Sequence, residues 1–105
     1  MSICYLNGNF VELSKASISP LDRGFLFGDS VYEVLAAYEK NLFRLDDHME
    51  RLKKNLQSLS INIALENSEI KSILQKVCEK NPEENQIIYL QISRGAEAIR
   101  NHIPI

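Results

Sequence analysis

Short apolar runs near both ends of the chain are bounded by turn residues, and between them apolar residues fall into helical spacing. Tyr5-Leu6 and Phe10-Val11 flank Asn7-Gly8, a dipeptide that tolerates the two positive φ angles of a type I′ turn, so a hairpin is predicted there. A polar, Ser-rich connector follows over 13–20, and Ser19-Pro20 favours extended backbone because the proline ring crowds a helical residue before it. Residues 31–38 (VYEVLAAY) are ambiguous between strand and helix, but the β-branched and aromatic side chains at Val31, Tyr32, Val34 and Tyr38 favour strand. Glu39-Lys40-Asn41 then reads as a turn and Leu42-Phe43-Arg44-Leu45 as the returning strand of a second hairpin.

The clearest helix covers 46–60. Met49, Leu52, Leu56 and Leu59 make one apolar stripe, and Asp47 with Glu50 three residues later matches a capping box. A second helix is predicted from 67 or 68 to 80, with Ile70, Ile73, Leu74 and Val77 inward, Lys76 and Lys80 near its end and Pro82 just beyond. Residues 86–93 (QIIYLQIS) form a strand long enough for a central position, ended by Arg94-Gly95, with a loop over 96–102. Strands, two helices and a further strand predict an α+β fold: a small antiparallel or mixed sheet with two helices.

Composition narrows the class without naming it. The 105 residues are 45% hydrophobic and 25% charged, proportions of a globular domain rather than a disordered chain. One domain over 1–105 is expected from that length. Twelve basic against fourteen acidic residues give a net charge of −2, and no basic cluster beyond Arg51-Leu52-Lys53-Lys54 points to nucleic acid. No apolar run approaches the ~20 residues of a membrane span, and the first residues lack the pattern of a signal peptide. A cytoplasmic protein with no membrane and no nucleic-acid partner is the expectation. Cys4 and Cys78 stand far apart and read as buried or half-buried free thiols; with His48 and His102 equally isolated, no metal site is expected.

The stretch 22–30 (DRGFLFGDS) is the most unusual. Two glycines four residues apart frame Phe25, Leu26 and Phe27, which reads as a tight loop with the aromatics filling the core. It lacks the spacing of either common phosphate-binding glycine motif. Arg23 and Asp29 are expected to hold this loop by ion pairing or backbone hydrogen bonds. Read from the residues alone, Arg51 is a surface arginine paired with Glu50 or Asp47, Tyr32 a half-buried strand aromatic, and Arg100 and His102 parts of a solvated loop.

Taken in order, several of these segments resemble one family. Asp22-Arg23-Gly24 with Phe27-Gly28-Asp29-Ser30-Val31-Tyr32-Glu33 is similar to the amino-terminal signature of the class IV (fold type IV) pyridoxal-phosphate aminotransferases. Leu42-Phe43-Arg44-Leu45 before His48-Met49-Glu50-Arg51-Leu52, then IIYLQISRG at 87–95, and finally Arg100-Asn101-His102 follow the family order. The last element resembles the Arg-x-His of D-amino acid aminotransferases, whereas branched-chain aminotransferases usually have a longer amino-terminal extension and no such pair.

The resemblance implies that the chain is the small amino-terminal domain of a longer enzyme, with pyridoxal phosphate held between it and a larger domain that supplies the Schiff-base lysine. None of the lysines at 15, 40, 53, 54, 71, 76 and 80 matches that lysine, so the chain alone is expected to be inactive, and its apolar ending at 102–105 is expected of a cut within a longer chain. By the same resemblance Arg51 contacts the cofactor phosphate. Tyr32, Arg100 and His102 hold the substrate α-carboxylate, and the Arg-x-His loop reaches the neighbouring subunit's site in a homodimer. The implied reaction moves an amino group from a D-amino acid such as D-alanine to a 2-oxo acid. The alternatives are a 4-amino-4-deoxychorismate lyase-like enzyme with the same cofactor and, from another class, a non-catalytic dimerising module.

Overall fold

The computed structural model describes residues 2–104. The opening hairpin pairs β1 (Ile3–Leu6) with β2 (Asn9–Glu12), Leu6 facing Asn9 across Asn7 and Gly8, whose φ angles are 47° and 98°. Both are positive, as the primed turn demands. The following connector begins with a short 3-10 turn over Leu13–Lys15.

The stretch read as a tight loop is instead a five-residue helix, α1 (Arg23–Phe27). Asp22 caps it by accepting from the Gly24 N–H at 2.8 Å, and Gly28 ends it in the left-handed region at φ 65°, a conformation that costs a side-chain-bearing residue energy. Two glycines inside nine residues hid the helix, because both lower helix propensity although one of them is its terminator. Gly24 answers a different need: a Cβ there would lie 2.9 Å from the Ser93 Cβ, so α1 presses against the end of the last strand.

A three-stranded antiparallel sheet carries the rest, in the order β4-β3-β5. Its central strand is β3 (Ser30–Tyr38), paired along its length with β5 (Gln86–Ser93), from Ser30 opposite Ser93 to Ala37 opposite Gln86. β5 therefore lies at the edge of the sheet among the described residues rather than at its centre. The expected returning strand shrinks to β4 (Asn41–Leu42), since Leu45 already begins a helix. Glu39 and Lys40, with φ of 51° and 62°, make the two-residue turn between β3 and β4.

α2 (Leu45–Ser58) packs its apolar stripe of Met49, Leu52 and Leu56 under β3. Leu59 falls just past the helix end and is exposed, which corrects its place in the predicted stripe. The predicted Asp47–Glu50 box does not form. The N-cap is Arg44 in a left-handed conformation, and its Nε donates to Asp47 Oδ2 at 2.9 Å. α3 (Asn67–Lys80) runs over the predicted span, with Glu69 accepting from the Glu66 N–H at 3.4 Å. Ile70, Leu74 and Cys78 are its buried residues, while Ile73 and Val77 are half-buried.

One face of β3, Val31, Glu33, Leu35 and Ala37, is buried against the helices, and Leu35 has no exposed surface. The opposite face is open: Tyr32, Val34 and Tyr38 of β3 and Ile87 and Tyr89 of β5 are exposed. Cys78 is buried, which pushes its thiol up from its ordinary pKa, and Cys4 is half-buried; both are free. No described helix is long and apolar enough to cross a membrane, and no described cluster of three metal-ligating side chains occurs.

Candidate functional site

Glu33 occupies an inward position of β3 between Val31 and Leu35, where only 2% of it is exposed. A carboxylate buried there requires partners, because an unpaired buried charge is strongly disfavoured. α2 supplies both. Arg51 Nε donates to Glu33 Oε2 at 2.9 Å and Arg51 Nη2 to Oε1 at 2.8 Å, a two-point, charge-assisted pair. His48, one turn earlier on α2, lies with Nδ1 2.7 Å from Oε1, so Nδ1 carries the proton it donates. The Arg51 hydrogen bonds hold the Glu33 carboxyl below its ordinary pKa against the opposing effect of burial, with His48 adding to the lowering. Glu33 in turn raises the Arg51 pKa, and nearby Tyr32 acts in the same direction.

The sequence reading paired Arg51 with Glu50 or Asp47; its partner is Glu33, 18 residues away. The signal was present in the alternation Val31, Glu33, Leu35, Ala37, which sets a carboxylate among three core positions. The Arg51 side chain is 63% exposed and Nη1 has no hydrogen-bond partner among the described residues. Its outer edge borders a shallow groove of about 250 Å³ with Asp47, Glu50 and Lys54. A second groove of about 320 Å³ lies between Ser30, Val31 and Tyr32 on the strand and Asn55, Ser58 and Leu59 beyond Arg51.

Tyr32 stands on the open face, its ring stacked on Tyr89 at 5.7 Å. Arg100 and His102 lie elsewhere, both against Phe27 of α1: the Arg100 guanidinium carbon is 4.9 Å from the ring centre and the His102 ring 5.0 Å. The described chain thus brings Arg100 and His102 together, while the ring partner of Tyr32 is Tyr89. Arg23 anchors this second region. Its Nε donates to Asp29 Oδ2 at 3.1 Å, as expected, but Nη1 also donates to Glu97 and to the Asn101 carbonyl, and Nη2 to the His102 carbonyl at 3.0 Å. Asp29 is shared with Arg94, whose Nε lies 2.7 Å away and dominates the lowering of the Asp29 pKa.

The lysines are mostly engaged elsewhere. Lys40 donates to the Asn81 carbonyl, Lys71 pairs with Asp46, and Lys80 lies over the Phe10 ring. Lys54 is exposed beside Arg51.

Arg51 meets the requirement for holding a phosphate dianion. Its guanidinium is fixed from behind by a buried carboxylate, and donors remain on an exposed edge.

Comparison with known proteins identifies relatives of the chain. The family model described as amino-transferase class IV matches residues 30–103. A D-alanine aminotransferase of Bacillus licheniformis is 38% identical over 96 residues, covering 91% of this chain and 34% of that protein. The chain spans about a third of the length of this curated relative. A solved T.th. branched-chain amino acid aminotransferase complexed with N-(5′-phosphopyridoxyl)-L-glutamate matches with TM-score 0.85 at 27% identity, over 93% of this chain and 34% of that one. The 4-amino-4-deoxychorismate lyase from Pseudomonas aeruginosa matches with TM-score 0.72 at 27% identity, over 86% of this chain and 32% of its own.

Proposed function

The chain belongs to the class IV aminotransferases, and from that premise we propose that it is the amino-terminal part of a pyridoxal-phosphate-dependent transaminase acting between a D-amino acid such as D-alanine and a 2-oxo acid. The observation that carries this choice of substrate is the joint presence of Tyr32, Arg100 and His102 in a chain 38% identical to a D-alanine aminotransferase. The cofactor reading is supported by the phosphopyridoxyl ligand of the branched-chain relative and by the half-engaged guanidinium of Arg51.

In this reading Arg51 holds the cofactor phosphate with the donors that Glu33 leaves exposed. Pyridoxal phosphate, when bound, supplies the electron sink that lets an amino acid lose its Cα proton. The lysine that carries the cofactor belongs to a part of the parent enzyme outside this chain, so these residues alone are inactive. Tyr32, Arg100 and His102 orient the substrate by its carboxylate, Arg100 through its guanidinium and the other two through hydrogen bonds. Fixing the substrate this way turns binding into alignment, which can lower a barrier by several kcal/mol. The Arg100–His102 pair serves the site of a second subunit, in a cytoplasmic homodimer.

A second reading, the lyase, is favoured by the likeness to the Pseudomonas aeruginosa enzyme. Assaying the intact parent enzyme separates the two. Turnover of D-alanine with 2-oxoglutarate is expected. Absence of that turnover, with pyruvate released from 4-amino-4-deoxychorismate, would replace the first reading with the second.

A further inference from the structure

The segment 97–103 contains no helix or strand, and Ile99 and Ile103 are each 75% exposed. Neither apolar burial nor a ladder of backbone hydrogen bonds holds it; within the segment the Ile103 N–H bonds only the neighbouring Asn101 side chain, at 3.1 Å. Such a segment is expected to be mobile. It is nevertheless tied down by side chains of α1, one of them above all.

That one is Arg23, 4% exposed on the first turn of α1. Four of its five N–H donors are engaged: one on Asp29, and three on the segment, at Glu97, the Asn101 carbonyl and the His102 carbonyl. Because a guanidinium is planar and rigid, three acceptors on one fork have fixed mutual positions, which a lysine ammonium cannot reproduce. The backbone N–H of Arg23 adds a bond to the Gly95 carbonyl at 2.8 Å, and Asp22 bridges to Ala96. One turn along α1, the Phe27 ring carries Arg23, Arg100 and His102 together, with the Arg23 guanidinium carbon 4.6 Å from its centre. Asp29 and Glu97 both pair with the Arg23 guanidinium.

We propose that Arg23 is a positioning residue for substrate-carboxylate recognition: with Phe27 it mounts the 97–102 segment on α1 and so fixes where Arg100 and His102 are presented. This rests on the reading that Arg100 and His102 hold the carboxylate. Arg23 touches neither substrate nor cofactor; it acts through the backbone of the segment that does.

The test uses the full-length holoenzyme with D-alanine as substrate and four measurements: KM, kcat, affinity for pyridoxal phosphate, and amide hydrogen exchange. Arg23→Lys keeps the charge and loses the fork. The expected result is a KM for D-alanine raised roughly tenfold or more, a smaller fall in kcat, and cofactor affinity within about twofold, since a displacement of about an ångström can cost up to ~100-fold. Exchange should quicken at amides 97–103 and stay unchanged in α2. A purely structural arginine would instead weaken cofactor binding and loosen α2 along with everything else, and that pattern would overturn the proposal. Arg100→Ala is the control for the underlying reading. If it raises KM and Arg23→Lys does not, the positioning role is wrong and the carboxylate reading stands; if Arg100→Ala leaves KM unchanged, the carboxylate reading itself falls. Should Arg23→Lys fail to fold, Phe27→Leu decides: a KM raised several-fold supports the mount, and an unchanged KM overturns it.

Discussion

The two arginine sites of this chain are built in opposite senses. At the β3–α2 contact the carboxylate is buried and the arginine faces outward: Glu33 sits in the core and directs a 63% exposed Arg51 towards solvent. At α1 the arginine is buried and what it holds faces outward: Arg23, its side chain 5% exposed, carries the open segment with Arg100 and His102. The first site draws its precision from two regular elements already locked together by Val31, Leu35, Met49, Leu52 and Leu56. The second has no such scaffold beneath its working residues and relies on the Arg23 fork and the Phe27 ring. A buried ion pair on regular elements needs the core to be right, whereas the loop needs Arg23 and its neighbours Asp29 and Phe27 to be right.

The largest effect expected from this contrast lies in the core. Leu35→Ala empties a fully buried position on the central strand and should cost about 2–5 kcal/mol in denaturant unfolding. It should loosen the Glu33–Arg51 site through the packing of β3 on α2. Equal loosening at 97–103, read by hydrogen exchange, would break the distinction between the two regions.

Glu33→Gln probes the first site directly. It removes the charge behind Arg51 and keeps the shape, and in the full-length enzyme affinity for pyridoxal phosphate should fall roughly 10–100-fold, as when the support of a binding side chain is removed. Equilibrium dialysis measures it; unchanged affinity would mean that Arg51 is held by something other than Glu33. The same variant carries a pH signature. The Glu33 pKa is lowered in the folded state, so the stability it confers is complete above the ordinary glutamate value of about 4.3 and is lost as pH falls through the lower folded value. Glu33→Gln should flatten that loss of stability with acid. Asp29, lowered by Arg94 and Arg23, follows the same sign and contributes to the slope that remains.

The smallest effect belongs to Gly28→Ala. Space around Gly28 is open, so the cost comes from its left-handed backbone alone, about 1–2 kcal/mol, and should appear as lower thermal stability without any change in cofactor affinity.

Much of the fold was legible beforehand because its signals are local. Asn7-Gly8 named its own turn, and β-branched and aromatic residues over 31–38 and 86–93 named two strands. The spacing of Met49, Leu52 and Leu56 named α2. The errors came where a local cue competed with another: glycines concealed α1, and Leu59 continued the apolar stripe of α2 although the helix ends at Ser58.

The family resemblance singles out Arg51, Tyr32, Arg100 and His102 as residues, but not the company each keeps. Glu33 lies 18 residues from Arg51, and Arg23 lies 78 and 79 residues from the carbonyls it binds. Strand order, which leaves β5 at the edge, is equally a matter of which segments meet in space. Turns, strands and helices repeat over two to a few residues, so a sequence determines them by its period. A buried charge takes whichever partner the closed chain brings within about 3 Å, and that choice is made only when the sheet, the helices and α1 have packed.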